Sequence, residues 1–294
     1  MSKGKKAKKQ IISTAAEMME QFIEEGTYPH LKQSEEKVKR LTSSMRKRLE
    51  QSESKRHEFK DFNLVGRFTA KKIYQTDYIS LNEYLYDLGL LLHVVEIDNK
   101  SIQENELYLD MIQDFKLEDT FFVKPNFNKL GKSLNALPEE YFIPDDCELT
   151  RLARDILILK PQIKDFKNQY DKLKWKLLQL DDFKKLKSLP KEKRKPIPHK
   201  YGSLSLSVNQ PKYDVSKIYD YIGEWLLIEY GKPSADSLER LILNGTLSKK
   251  EIDQFKTVTD VRLDFSVMSI DDERKILTIL EGKNQKAAAN RRLA

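Results

Sequence analysis

Cysteine occurs once in the 294 residues, at Cys147. One cysteine excludes an internal disulfide framework and any cysteine-rich zinc site. Histidine is nearly as scarce: His30, His57, His93 and His199 lie far apart, and none falls in an H-x-x-x-H or H-E-x-x-H spacing. His93 sits inside an apolar run and reads as a hydrogen-bonded structural residue. Glycine numbers only ten, with no G-x-x-x-x-G-K-[ST] loop and no G-x-G-x-x-G, so a backbone cradle for phosphate is not expected. No apolar run approaches the roughly 18 residues that a membrane span needs. The apolar stretch behind the lysine-rich start is broken by Ser13, Thr14 and Glu17, which is not the pattern of a signal peptide. These absences together lead to the expectation of a cytoplasmic, non-enzymatic protein with no catalytic residue, no metal ion, no cofactor and no membrane partner.

Acidic clusters stand at Asp145-Asp146-Glu148, Asp181-Asp182 and Asp271-Asp272-Glu273. A nuclease would need such carboxylates to converge on a metal. Two of the clusters precede expected helices, where capping of free N–H groups explains them without further assumption. Cys147 has no evident histidine partner and reads as structural.

What is present in quantity is charge, with enough aromatic residues for real cores. Thirteen Phe, thirteen Tyr and two Trp make wholesale disorder unlikely to persist. Fifty-three basic residues outnumber forty-six acidic ones, for a net charge of +7, so contact with nucleic acid or another acidic surface is open. The length allows about two domains.

The chain is organised around Leu149 to Leu180. Apolar residues fall at Leu149, Leu152, Ile156, Leu159, Ile163, Phe166, Tyr170, Leu173, Leu177 and Leu180, in alternating steps of three and four. This is the seam of a heptad repeat. So long a stripe needs a covering surface, either the chain's own N-terminal helices or a second copy. These ten residues are therefore the candidate oligomer or partner interface, and a homo-oligomer is expected. Pro161 falls at an outer heptad position and predicts a kink, or two helices meeting there.

Before the seam, Lys3, Lys5, Lys6, Lys8 and Lys9 form a basic tail. An amphipathic helix follows (Ile12, Ala15, Ala16, Met19, Phe22, Ile23), ended by Gly26 and Pro29. A polar helix is expected over about 31–58. Residues 62–74 read as a strand. Ser80 and Glu83 have capping-box spacing for a helix ended by Gly89. Leu90 to Ile97 reads as a buried strand, 103–115 as a helix, Thr120 to Val123 as a short strand, and Asp145 and Asp146 as the cap of the seam helix.

After the seam, Lys184, Lys185, Lys187, Lys191, Lys193, Arg194 and Lys195 form a basic linker over 184–200, broken by Pro190, Pro196 and Pro198. It reads equally as a phosphate-binding segment or as a solvated linker. Ser203 to Val208 alternates as a half-buried strand. Asp214 caps a helix carrying Ile218, Ile222, Trp225 and Leu226. The pair at 234–256, helix, Asn244-Gly245 turn, helix, has the outline of a helix-turn-helix that would present Lys249 and Lys250, or of a plain helical hairpin. Val261, Leu263, Phe265 and Val267 alternate as another strand. Asp271 caps a last helix, and 283–294 reads as a flexible basic tail.

The expected fold class is α+β, with the long heptad helix linking two small α+β parts. The segments are a helical N-terminal piece (1–60), an α+β domain (61–148), the long helix with its basic linker (149–200), a second α+β domain (201–282) and the tail.

Residues 149–231 resemble one known family. The heptad helix passes through a proline-containing linker into Tyr201-Gly202-Ser203-Leu204-Ser205-Leu206, and a Pro-Lys-Tyr then leads into a helix containing Glu224-Trp225-Leu226. That order is similar to the Gam-like host-nuclease inhibitors of bacteriophages. The resemblance implies a phage or mobile-element protein that binds and inhibits a bacterial DNA-processing or anti-phage defence nuclease complex, with at most weak DNA binding of its own. The alternative is a DNA-binding protein using the linker 184–200 and the pair at 234–256.

Overall fold

The computed structural model describes residues 14–293, the side chains of 291–293 excepted; the lysines of the N-terminal tail lie outside the described residues. The chain is α+β. Its first half runs α1 (Thr14–Glu24), α2 (Thr27–Leu49), β1 (Arg56–Phe59), β2 (Leu64–Thr76), α3 (Tyr78–Asp87), α4 (Leu91–Val94), β3 (Val95–Ile97), α5 (Asn99–Ile102), α6 (Glu106–Met111), β4 (Phe121–Phe127) and α7 (Lys129–Asn135). The second half runs α8 (Leu149–Gln179), α9 (Asp181–Lys187), β5 (Ile197–His199), β6 (Gly202–Val208), α10 (Val215–Tyr221), α11 (Glu224–Tyr230), β7 (Gly231–Pro233), α12 (Ala235–Leu243), α13 (Lys249–Asp253), β8 (Lys256–Ser269) and α14 (Ile270–Leu293).

The chain gathers into two compact units, and each is built from two separate stretches. Unit 1 takes residues 1–51 and 120–209; unit 2 takes 52–119 and 210–294. The consecutive segments expected from the sequence are therefore not how the chain sorts itself. The long helix belongs to unit 1 instead of linking two other parts.

In unit 1 the seam is covered from within the chain. None of its ten residues is exposed, and Leu152, Ile156, Leu173 and Leu177 are fully buried. The tyrosine and phenylalanine of the seam lie against the first two helices: Tyr170 meets Phe22 and Tyr28, with centroids 6.2 and 5.0 Å apart, and Phe166 stacks on His30. The seam as a free oligomer interface is thus corrected. Helix α2 has a thin apolar stripe of its own (Leu31, Leu41, Met45, Leu49), and burying both stripes together removes more apolar surface from water than leaving either exposed. Beyond the seam's C-terminal half, Leu177 and Phe183 join Ala15, Met19, Val123 and Leu204 in one core. Arg48 donates to the carbonyls of Pro144 and Cys147, fixing the loop that leads into α8.

Helix α8 continues unbroken through Pro161. The proline is exposed, so the carbonyl it leaves unbonded turns to water. Asp145 and Asp146 do not cap it; the helix starts after Glu148 with no side-chain cap.

Unit 2 holds a second core of Leu81, Leu85, Leu91, Ile102, Ile112, Ile218, Leu226, Leu227, Leu247 and Ile252. Asp77, not Ser80, caps α3, accepting from the Ser80 N–H at 3.1 Å. The apolar run at 90–97 is helix for four residues and strand for only three, and His93 is exposed on that helix. A short apolar run fits either element, and here α4 re-forms a helix just after Gly89 turns the chain with φ +69°. The helix expected after Asp214 is broken into α10 and α11 at Gly223, whose φ of +108° an L side chain rarely adopts. The last helix continues to Leu293, so the expected flexible tail is helical. Its start is capped by Ser269, whose hydroxyl accepts from the Asp272 N–H at 2.9 Å.

The longest strands, β2 and β8, pair antiparallel over their whole length, with β1 added at one end. At that end Glu273, only 5% exposed, accepts from Arg56 at 2.6 Å and Arg67 at 3.5 Å. The Arg56 hydrogen bond, above all, holds the Glu273 carboxyl below the ordinary value of 4.5.

Two predictions follow from these cores. Phe183 is completely buried, so Phe183→Ala costs about 3–5 kcal/mol in urea unfolding, whereas Trp175→Ala at a 63% exposed site stays within about 0.5 kcal/mol. Glu273 has a lowered folded-state pKa, so its stabilisation is complete above the unfolded value and is lost as pH falls through the folded one. Glu273→Gln therefore lowers the urea midpoint at neutral pH, and the gap to the unaltered protein narrows as pH drops below 4.5.

Candidate nucleic-acid interface

Charge is divided unequally between the units. Over the described residues unit 1 carries 26 basic and 18 acidic residues, and unit 2 carries 22 basic and 28 acidic. The net +7 of the whole chain thus conceals an excess of eight positive charges on unit 1, the N-terminal lysines left uncounted, and of six negative charges on unit 2.

The positive side chains of unit 1 include the segment that follows α8. The structure gives this linker more form than the sequence suggested. Its first turn-and-a-half is α9, and Ile197–His199 joins β6 as an edge strand. Lys184 is paired with Asp181 at 3.3 Å, and Lys187 donates to the Leu178 carbonyl at 3.2 Å. Arg194 donates to the Leu189 carbonyl and lies over the Phe121 ring, 5.0 Å from its centroid. Lys185, Lys191, Lys193 and Lys195 are exposed and form no ion pair among the described residues. The linker residues thus divide into cations engaged by their own fold and cations open to a ligand.

Beside this segment lies the sheet β4–β6–β5, antiparallel throughout. Strand alternation sends Val123, Phe127, Leu204 and Leu206 to the core. The opposite face carries the cross-strand pairs Phe122–Ser207, Lys124–Ser205 and Asn126–Ser203, with Pro198 on the far side of Ser203. Phe122 is 41% exposed, and Lys124 and Asn126 are exposed beside it. Asn126 donates to the Ser205 hydroxyl at 2.8 Å. Hydroxyl, amide, ammonium and aromatic groups therefore share one solvent face.

The β5–β6 turn is held by charge. Lys200 bonds Glu24 at 2.7 Å, and the Tyr201 hydroxyl donates to the same carboxylate at 2.9 Å. Glu24 is held below the usual carboxylate range by Lys200 first, and Lys200 is raised by Glu24, so both stay charged and bound to each other. Gly202 permits the turn: a Cβ there would stand 1.9 Å from the Asn126 carbonyl oxygen. His199, buried beside the turn, is pushed down by burial and remains neutral.

The other sequence candidate fares differently. Lys249 and Lys250 are exposed, but α13 is five residues long and passes directly into β8. One and a half turns cannot lie along a major groove as a recognition helix does. The Ser248–Glu251 capping box is present and is what this short helix needs to form at all. The sheet face with Phe122 and Lys124 escaped the sequence reading. The Ser203-to-Val208 alternation was visible, but its partner was expected as a short strand ending at Val123, because Pro125 marks the residues after it as loop.

Among the described residues no group of three or more His, Cys, Asp or Glu side chains is placed to hold a metal ion. Among the same residues no helix is long and apolar enough to cross a membrane. The chain matches no family model, no curated protein and no solved structure.

Proposed function

We propose that this chain is a non-enzymatic binding protein that contacts nucleic acid through unit 1. The observation that carries the reading is the concentration of charge: 26 basic against 18 acidic residues over the described part of one compact unit. Phosphate neutralisation by such a surface releases counterions and gives affinity without sequence readout. Lys191, Lys193 and Lys195 supply free ammonium groups, and the face bearing Lys124, Phe122 and the serine row supplies donors and a stacking surface beside them.

A second reading, inhibition of a bacterial DNA-processing or defence nuclease, draws on the resemblance over 149–231 and on the acidity of unit 2. Residues 77–119 hold eleven acidic and two basic residues, and Glu104, Glu106 and Asp110 among them are exposed. An anionic surface of this kind competes with DNA for a basic groove. The support is weaker than for the first reading, since the resembling stretch is divided between the two units at Asn209 and Gln210. Either role belongs in the cytoplasm.

Fluorescence anisotropy with duplex DNA at about 50 and 200 mM salt tests the first reading. Affinity is expected to fall steeply with salt. The triple change Lys191→Ala, Lys193→Ala, Lys195→Ala is expected to weaken binding and to flatten the log–log salt slope by about three, near one per lost phosphate contact. Lys249→Ala with Lys250→Ala leaves both unchanged. Affinity that survives the triple change removes this surface from the account. For the second reading, reversing Glu104, Glu106 and Asp110 to Lys is expected to abolish inhibition of a target nuclease with DNA affinity kept; inhibition that persists rules the acidic face out.

A further inference from the structure

Unit 2 leaves two apolar surfaces uncovered, and they are of complementary kind. The first lies on the ribbon β2–β8. Phe68 and Phe265 stand side by side, ring centroids 4.7 Å apart, and mark one face of it. Along that face follow the pairs Ala70–Leu263, Lys72–Val261 and, past the bulge at Ile73/Tyr74, Tyr74–Val258. Phe68 is buried, but Tyr74, Val258 and Val261 are not; Val261 is 55% exposed. The other face carries Thr69, Lys71, Arg262, Asp264 and Asp260 with one apolar residue, Ile73, among them, the composition of an ordinary solvent face. Both ends of the ribbon are fixed. Asp77 donates its N–H to the Phe255 carbonyl at 2.9 Å at one end, and Glu273 grips Arg56 and Arg67 at the other.

The second surface lies on α14. Ile276, Leu277 and Leu280 recur at helical spacing with Ile279 beside them, and all four are exposed, Ile279 by 57%. This helix is also fixed at both ends. Glu273 ties its first turn, while Lys283 pairs with Glu239 at 2.6 Å and the Asn290 amide donates to the Leu243 carbonyl at 2.7 Å. The stripe between the ties cannot fold away without breaking them.

We propose that these surfaces dock a second copy of the chain, the ribbon of each copy receiving α14 of the other across a twofold axis. A helix stripe laid on a sheet face is the commonest way two elements bury apolar surface. The reciprocal arrangement meets the isologous rule, residue i on j and j on i, and uses every uncovered residue twice. Area agrees. Seven half-exposed large side chains, three on the ribbon and four on α14, together amount to several hundred Å² of apolar surface in each copy, and with their polar margins approach the ~800 Å² per partner of a stable interface. Lys72 apart, the side chains of this face are apolar and give nothing to phosphates. Strand addition at the ribbon edge is disfavoured by Lys71, Lys72 and the bulge, which leaves the face as the point of contact. The homo-oligomer expected of the seam is thereby moved to unit 2. The proposal stands apart from the nucleic-acid reading, since no residue of unit 1 takes part.

Sedimentation velocity on the full chain tests it. Interfaces of this size bind at micromolar affinity or tighter, so a dimer is expected at about 100 μM. Val261→Asp and Leu280→Asp each place a charge in the contact and are expected to raise the dissociation constant at least ~100-fold. Because both positions are exposed, circular dichroism and the urea midpoint are expected to hold, which separates lost docking from lost folding. Lys71→Ala, on the opposite face, leaves the dimer intact. A monomer at about 100 μM, a dimer that survives both substitutions, or one that yields to only one of them overturns the reciprocal arrangement.

Discussion

The apolar seam of α8 must be covered, and the architecture of the chain follows from what covers it. A 31-residue helix is about 47 Å long, and α2 with its 23 residues is about 35 Å. α2 is too short to cover the seam by itself, and α1 ahead of it covers the rest, with Ala15, Met19 and Ile23 in one core with Leu173 and Leu177. Bringing residues 14–49 against 149–179 closes a large loop, and the intervening chain has to be placed. The part nearest the seam, β4 and α7, stays in unit 1, where β4 pairs with β6. The rest of it, 52–119, folds with the chain that follows β6. The interleaving of the two units is thus a consequence of satisfying one stripe locally.

That consequence explains which features were legible in the sequence. The seam, the Ser248–Glu251 capping box, the Asp214 cap and the alternation at 203–208 and 261–267 are local patterns, and the structure contains them all. What the seam packs against is a non-local fact. A stripe of period 3.5 looks the same whether α2 or another copy fills it, and α2's own stripe is thin enough to read as a solvated arm. The run at 90–97 failed for a different reason: six apolar residues interrupted by His93 and Glu96 carry no period that distinguishes four residues of helix and three of strand from one buried strand. Pro125 hid the second half of β4, because proline is tolerated in a strand only where its missing N–H is not needed, and β4 is an edge strand of its sheet. The candidate linker was legible as charge but not as structure. Which of its cations are spent on Asp181, Leu178 and Leu189, and which are free, depends on contacts that only folding supplies.

Once the seam is closed, the molecule's available surfaces are of three sorts, and each matches a different class of ligand. Unit 1 offers excess positive charge. Residues 77–119 of unit 2 offer negative charge. The ribbon and α14 offer apolar surface. The net +7 averages the first two and hides both. Interaction chemistry is set by the local field and not by the sum, because at physiological salt charges separated by more than about 8 Å are largely screened from each other. A partner at one face of unit 1 therefore meets a cation-rich surface, whatever the acidic residues elsewhere contribute to the pI.

Glu273 has a place in this partition that its burial makes clear. A carboxylate almost removed from water is costly unless its lone pairs are occupied, and Arg56 and Arg67 occupy them. Arg56 comes from β1 and Arg67 from β2, so one carboxylate joins three elements and fixes where α14 leaves the sheet. If the first turn of α14 were free, the helix could collapse its four apolar residues onto the nearest apolar face of its own ribbon. The clamp prevents that from one side, as the Lys283 and Asn290 contacts do from the other. Between these three contacts the four apolar residues of the stripe stay exposed.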